Sequence, residues 1–131
     1  MRKSLLLLIS LLLLIGGCSQ QEQSPEEQAG MAAKEYYDRL LAEDYEGFLK
    51  GKADMDSIPS DYRSQMVTAC QQYKQTLEQM HGGIATVTLS NARCDSTQQL
   101  MHAFLLLHFK DSVKEEITVP MVQRDGQWKM R

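Results

Sequence analysis

The feature that most constrains the fold is a change of hydrophobic period at Gly82-Gly83. Before this pair, apolar residues recur every third or fourth place. After it they alternate. A stripe with period 3.6 buries one side of a helix, and a period of two buries one side of a strand, so the chain divides into a helical half and a sheet half. In the first half, Ala33, Tyr36, Tyr37, Leu40, Leu41, Tyr45, Phe48 and Leu49 mark a helix over residues 31–50 closed by Gly51. Asp54 to Ser60, with Pro59, restarts the chain. Met66, Cys70, Tyr73, Leu77 and Met80 then mark a second helix over 60–81, with Ser57 or Ser60 as its cap and Gly82-Gly83 as its stop.

The second half carries a half-buried strand over 84–90, a Leu-rich strand over 100–110 expected to be buried on both faces, and a third over 113–123. Arg124-Asp125-Gly126-Gln127 is a two-residue hairpin turn, because Asp-Gly accepts positive φ at both central positions. A short strand with Trp128 and Met130 ends the chain. Charges at Lys114, Glu115 and Glu116 mark an exposed strand edge that discourages edge-to-edge pairing. The expected fold class is α+β, with two N-terminal helices packed on a curved four-stranded antiparallel sheet.

The N-terminus reads differently. Met1-Arg2-Lys3-Ser4 is a short basic start, Leu5 to Ile15 is apolar apart from Ser10, and small residues follow. That is the pattern of a leader peptide, too short for a permanent span, which needs about 20 apolar residues. Ile15-Gly16-Gly17-Cys18 resembles a bacterial lipobox. The resemblance implies diacylation of Cys18, cleavage of residues 1–17, and a mature chain beginning at Cys18. Two or three acyl chains hold a protein stably at a membrane where one does so only marginally. Ser19, rather than Asp, is dissimilar to an inner-membrane retention tag. The expected address is therefore the outer membrane on its periplasmic side, surface exposure staying open. Loss of Arg2 and Lys3 moves the formal net charge from −3 to −5. Residues 19–30 hold no aliphatic side chain larger than Ala and read, with Cys18, as a flexible tether (18–30) ahead of one domain over 31–131.

A net charge of −3 and no basic run after Lys3 exclude the footprint of a nucleic-acid binder. Cys70 and Cys94 remain after Cys18, and an even pair in an oxidising compartment invites a bridge that stabilises by roughly 3 kcal/mol. Cys94 has the outward parity of its strand unless a bulge near Ser90-Asn91 reverses it, so a bridge and two separate thiols both stay open. His102 and His108 share one parity about 20 Å apart by strand rise. That separation is too large for a common metal, and no metal or other cofactor is expected. Either histidine could act as the acid or base of a pocket. The candidate pocket set is Tyr37, Tyr73, His102, Phe104, His108 and Trp128, against the alternative that these aromatic positions are plain core.

The element order and the terminal hairpin Val119-Pro120-Met121-Val122-Gln123-Arg124-Asp125-Gly126-Gln127-Trp128-Lys129-Met130 resemble the cystatin-like, nuclear-transport-factor-2-like superfamily, including lumazine-binding-like lipoproteins of unknown function. The resemblance implies a cone whose mouth often takes a small molecule, in a superfamily with members that only dimerise or bind protein. The leading expectation is a non-enzymatic, lipid-anchored envelope domain that binds a small apolar ligand or an envelope protein. The alternatives are a small pocket enzyme of isomerase or dehydratase type and an inhibitor or immunity-type lipoprotein.

Overall fold

The computed structural model describes residues 23–131. Cys18 and the leader lie outside the described residues. Three helices, one 3₁₀ turn and four strands follow in order: α1 (Pro25–Leu41), α2 (Tyr45–Lys50), the turn Met55–Ser57, α3 (Ser60–His81), β1 (Ile84–Asp95), β2 (Leu100–Phe109), β3 (Lys114–Arg124) and β4 (Gln127–Met130). The strands form one antiparallel meander in the order β1-β2-β3-β4. The α+β layout with helices on a four-stranded antiparallel sheet is as the periodicity implies.

Three boundaries differ, the simplest being that of β1, which runs on to Asp95 rather than ending at Ser90. The first helix starts at Pro25, inside the stretch expected to be a tether. Ser24 caps it by accepting from the Glu27 N–H at 3.2 Å, Pro25 sits in the first turn, and Glu26 and Glu27 favour its positive end. Its small residues do what larger aliphatics do elsewhere. Ala29, Gly30 and Ala33 are buried, and a Cβ on Gly30 would stand 2.8 Å from Leu89 Cδ2 and 3.3 Å from Ala92 Cβ. The helix thus docks by close backbone approach, which a composition count does not register.

The helix expected over 31–50 is also broken at residues 42–44. Glu43 takes φ 64°, and the Asp44 side chain accepts from the Gly47 N–H at 3.0 Å to start α2. The second expected helix keeps its bounds, and Gly82 at φ 76° stops it. Neither serine caps it. Pro59 is the N-cap, the Ser57 hydroxyl donates to the Asp54 carbonyl, and Ser60 is already helical.

The core lies between α1, α2 and the inner face of the sheet, where Leu49, Leu105, Leu107 and Met121 are fully buried. β1 is irregular twice. Its register shifts between Ile84 and Thr86 and again between Leu89 and Asn91, so Ala85 and Ser90 are unpaired extra residues. Such bulges bend a strand and increase its twist. The second one reverses parity, placing Cys94 opposite Met101 on the inner side while leaving its side chain exposed. Cys70 and Cys94 are both free thiols.

β2 is not buried on both faces. Ala103, Leu105, Leu107 and Phe109 point inward and are covered, whereas His102, Phe104, Leu106 and His108 stand half-buried on the outer face. Among the described residues no second layer covers that face. Its side chains shield one another instead, as when the Arg93 guanidinium lies 4.9 Å over the Phe104 ring. β4 pairs with Met121–Arg124 and the Arg131 N–H donates to the Pro120 carbonyl, so residues 114–119 of β3 are the open edge on which Lys114, Glu115 and Glu116 stand exposed. The hairpin forms through Asp125 and Gly126 at φ 52° and 77°.

Candidate functional site

The site grows out of an incomplete packing of α3. Its stripe matches the periodicity, yet only Leu77 is buried. Met66 and Cys70 are half-covered, Tyr73 is 42% exposed and Met80 64% exposed. An amphipathic stripe ordinarily closes onto a partner surface. Here α3 meets α1 and α2 along part of its length and leaves a groove between the three helices.

The groove has a volume of about 260 Å³ and is lined by Tyr37, Leu40, Phe48, Leu49, Lys52, Met66, Ala69, Cys70 and Tyr73. Tyr37 from α1 stands edge-on to Phe48 from α2, with ring centroids 5.3 Å apart at 82°. Burial pushes the Tyr37 phenol up to about 12, with smaller contributions from Tyr73 and Cys70. It therefore stays protonated and able to donate. Burial likewise pushes the Cys70 thiol up, the Lys52 ammonium opposing it in part, so the thiol is not activated as a nucleophile. The Tyr73 phenol is raised by burial and then by the charge of Glu115.

Lys52 stands at the edge of this groove. Leu49 and Lys52 also line a second, polar cavity of about 480 Å³, to which Lys50, Arg63, Arg124 and Lys129 contribute cations and Glu46, Asp54, Asp56 and Asp125 contribute carboxylates. The two cavities are neighbours. The segment between them is fixed by the sheet: the Ala53 N–H donates to the Met130 carbonyl at 2.7 Å, and the Met130 N–H donates to the Gly51 carbonyl at 2.6 Å. Tyr36 closes the same corner by donating its hydroxyl to the Trp128 carbonyl at 2.8 Å.

The structure divides the pocket set expected from the sequence. Tyr37 and Tyr73 meet in the groove. His102, Phe104 and His108 lie on the opposite, outer face of the sheet, where His108 Nε2 is 2.8 Å from Thr88 Oγ1. Trp128 packs against the core, with its indole N–H buried and unpartnered. The split has a simple reason. Strand parity places the histidines on one face but does not say which parity meets the helices, and the parity without them, carrying Ala103, Leu105, Leu107 and Phe109, takes the interior. Met66 is legible in the sequence only as a stripe residue, Cys70 as a stripe residue and a candidate disulfide partner, and Lys52 as a cation just past a helix end. Their signal would have been an apolar helical stripe longer than the surface available to cover it. Among the described residues, no three His, Cys, Asp or Glu side chains converge as metal ligands.

The chain matches no family model and no curated protein. Among solved structures it superposes on a Campylobacter jejuni protein described as a candidate NTF2-like transpeptidase, with a TM-score of 0.61 over 82% of this chain and 97% of that one, at 12% identity. The fold is NTF2-like. In this NTF2-like architecture the sheet backs the helices, and the three helices supply the groove.

Proposed function

We propose that the protein is a lipid-anchored binding domain of the cell envelope, held at the outer membrane through acylated Cys18, with the inter-helix groove as its binding site for a small apolar ligand. One observation carries the binding half: a groove walled almost entirely by apolar and aromatic side chains, with the phenols of Tyr37 and Tyr73 as its few polar groups beside Lys52, is the arrangement that small-molecule sites use for affinity and orientation. The lipobox-like Ile15-Gly16-Gly17-Cys18 supports the anchoring half. The pocket-enzyme alternative loses its best residues, because His102 and His108 stand on the face away from the groove.

Native mass spectrometry of residues 19–131 produced in a periplasm tests the binding. A co-purifying small mass is expected, and Ala69→Trp, which fills the groove from α3, should abolish it. A bare mass in both proteins, with a stoichiometric protein captured instead, would replace this reading with that of a partner-binding or inhibitor-type lipoprotein. For the anchor, Cys18→Ala should leave the protein unprocessed or soluble. Unchanged membrane fractionation would refute it.

A further inference from the structure

The groove is lined by one charged side chain, and none of the described residues pairs with it. Lys52 is half-buried, and its ammonium makes no ion pair or hydrogen bond among the described residues. The Phe48 ring centroid lies 6.0 Å from the nitrogen, at the limit of a useful cation–π distance. Several neighbouring cations are engaged. Lys129 donates to the Lys50 carbonyl at 2.9 Å, Arg63 donates to the Met55 carbonyl at 3.2 Å, and Arg124 faces Asp54 at 3.9 Å. None of the carboxylates in the polar cavity pairs with Lys52. A long, flexible lysine in water gains little from being left alone or paired. This one is different, because its backbone is tied to β4 and its side chain lines the groove, so the charge is held at one end of an apolar wall.

Resting on the reading of the groove as a ligand site, we propose that its occupant is a small amphipathic anion, with an apolar body between Tyr37, Met66 and Cys70 and an anionic head against the Lys52 ammonium. The head sits where the groove opens into the polar cavity, so it keeps part of its hydration while its tail is buried. Tyr37, protonated within the groove, can donate to a polar atom further along the ligand. At about 30 Å³ per methylene-sized or water-sized group, 260 Å³ holds about eight or nine such groups. That space matches a short fatty acid or a small aromatic acid.

The test compares two probes of equal length that differ in charge, octanoate and octan-1-ol, by chemical-shift titration at pH 7 of residues 19–131, which contain the whole core described above. Octanoate is ionised there. Wild type should bind octanoate at least fivefold more tightly than octan-1-ol. Lys52→Met should bring the ratio to about one through loss of octanoate affinity, and Ala69→Trp should remove both. Equal affinities in wild type, or a preference that survives Lys52→Met, would overturn the anionic head and leave the apolar groove standing. Failure of either probe to shift Tyr37, Cys70 and Tyr73 would overturn the groove as a site, and this proposal with it.

Discussion

Gly51→Ala puts the close approach of the Gly51 backbone to the Tyr36 ring to the test. Gly51 has φ −74° and ψ −12°, an ordinary helical conformation, so alanine meets no backbone strain there. In the unfolded chain the substitution favours folding, by about 0.4–1 kcal/mol of lost backbone freedom. The opposing effect is steric. A Cβ at this position would stand 2.5 Å from Cγ and 2.7 Å from Cε1 of Tyr36, and real Cβ atoms do not approach carbon so closely. A rigid ring cannot yield by changing one terminal rotamer, as Leu89 could against Gly30. It must swing as a whole, and its hydroxyl is pinned to the Trp128 carbonyl 92 residues away in sequence. Overpacking of this kind costs about 1–3 kcal/mol, and losing the hydrogen bond about 1 kcal/mol more. The net expectation is a loss of about 2 kcal/mol, or roughly 10 °C in melting temperature for a domain of this size. Trp128, the single tryptophan, reports on the same corner, so urea unfolding followed by its fluorescence is the assay. Tyr36→Ala should remove most of the added penalty in the double variant, a coupling above about 1 kcal/mol. If Gly51→Ala is neutral or stabilising, the ring is not held where the structure has it, and the account of this corner is wrong.

Two pH dependences follow from the same contacts. The Asp111 carboxyl is held below its ordinary value of 3.8, chiefly by its hydrogen bond with His81, and Glu43 below 4.5 by its hydrogen bond with Lys74. A lowered carboxyl contributes stability that is present above its unfolded value and is lost as pH falls through the lowered one. Stability should therefore decline on acidification below about pH 4.5, and Glu43→Gln with Asp111→Asn should flatten that limb of a urea-midpoint profile. An unchanged slope would remove both pairs from the account. At the other end, Tyr37 is raised to about 12, so its contribution is present below the ordinary value of 10.0 and is lost as pH rises toward 12. In a near-ultraviolet titration of the five phenols, Tyr37→Phe should delete the last step; persistence of that step would place the groove phenol in water.

The parts legible in the sequence are those where one local rule acts without competition. α3 keeps both expected ends because Pro59 and Gly82 bracket one uninterrupted stripe, and the Asp125-Gly126 turn forms because few other dipeptides accept two positive φ values. α1 hid its first turns because docking through Ala29, Gly30 and Ala33 leaves no hydrophobic signal, although Ser24, Pro25 and Glu27 spelled a helix start. The break at Glu43 was masked by an apolar stripe that continues in phase across it. The groove was illegible for a different reason. Met66, Cys70 and Tyr73 look like core in any count of periodicity, and whether a partner surface reaches them is a matter of how far α1 and α2 extend beneath α3. Only the assembled fold contains that length. The same holds for Lys52, whose role near a helix end is indistinguishable, in one dimension, from that of Lys50.

The two irregularities in β1 separate properties that a regular strand joins. Ala85 and Ser90 have no partner in β2, and the residues on either side of each already alternate correctly across the gap. Removing the codon for either one would leave Ile84, Val87, Leu89 and Ala92 facing the helices as before. What would be lost is bend, and with it the concavity in which α1 lies. In this molecule the shape of the wall and the identity of the residues that paper it are written in different positions, so each can be edited without rewriting the other.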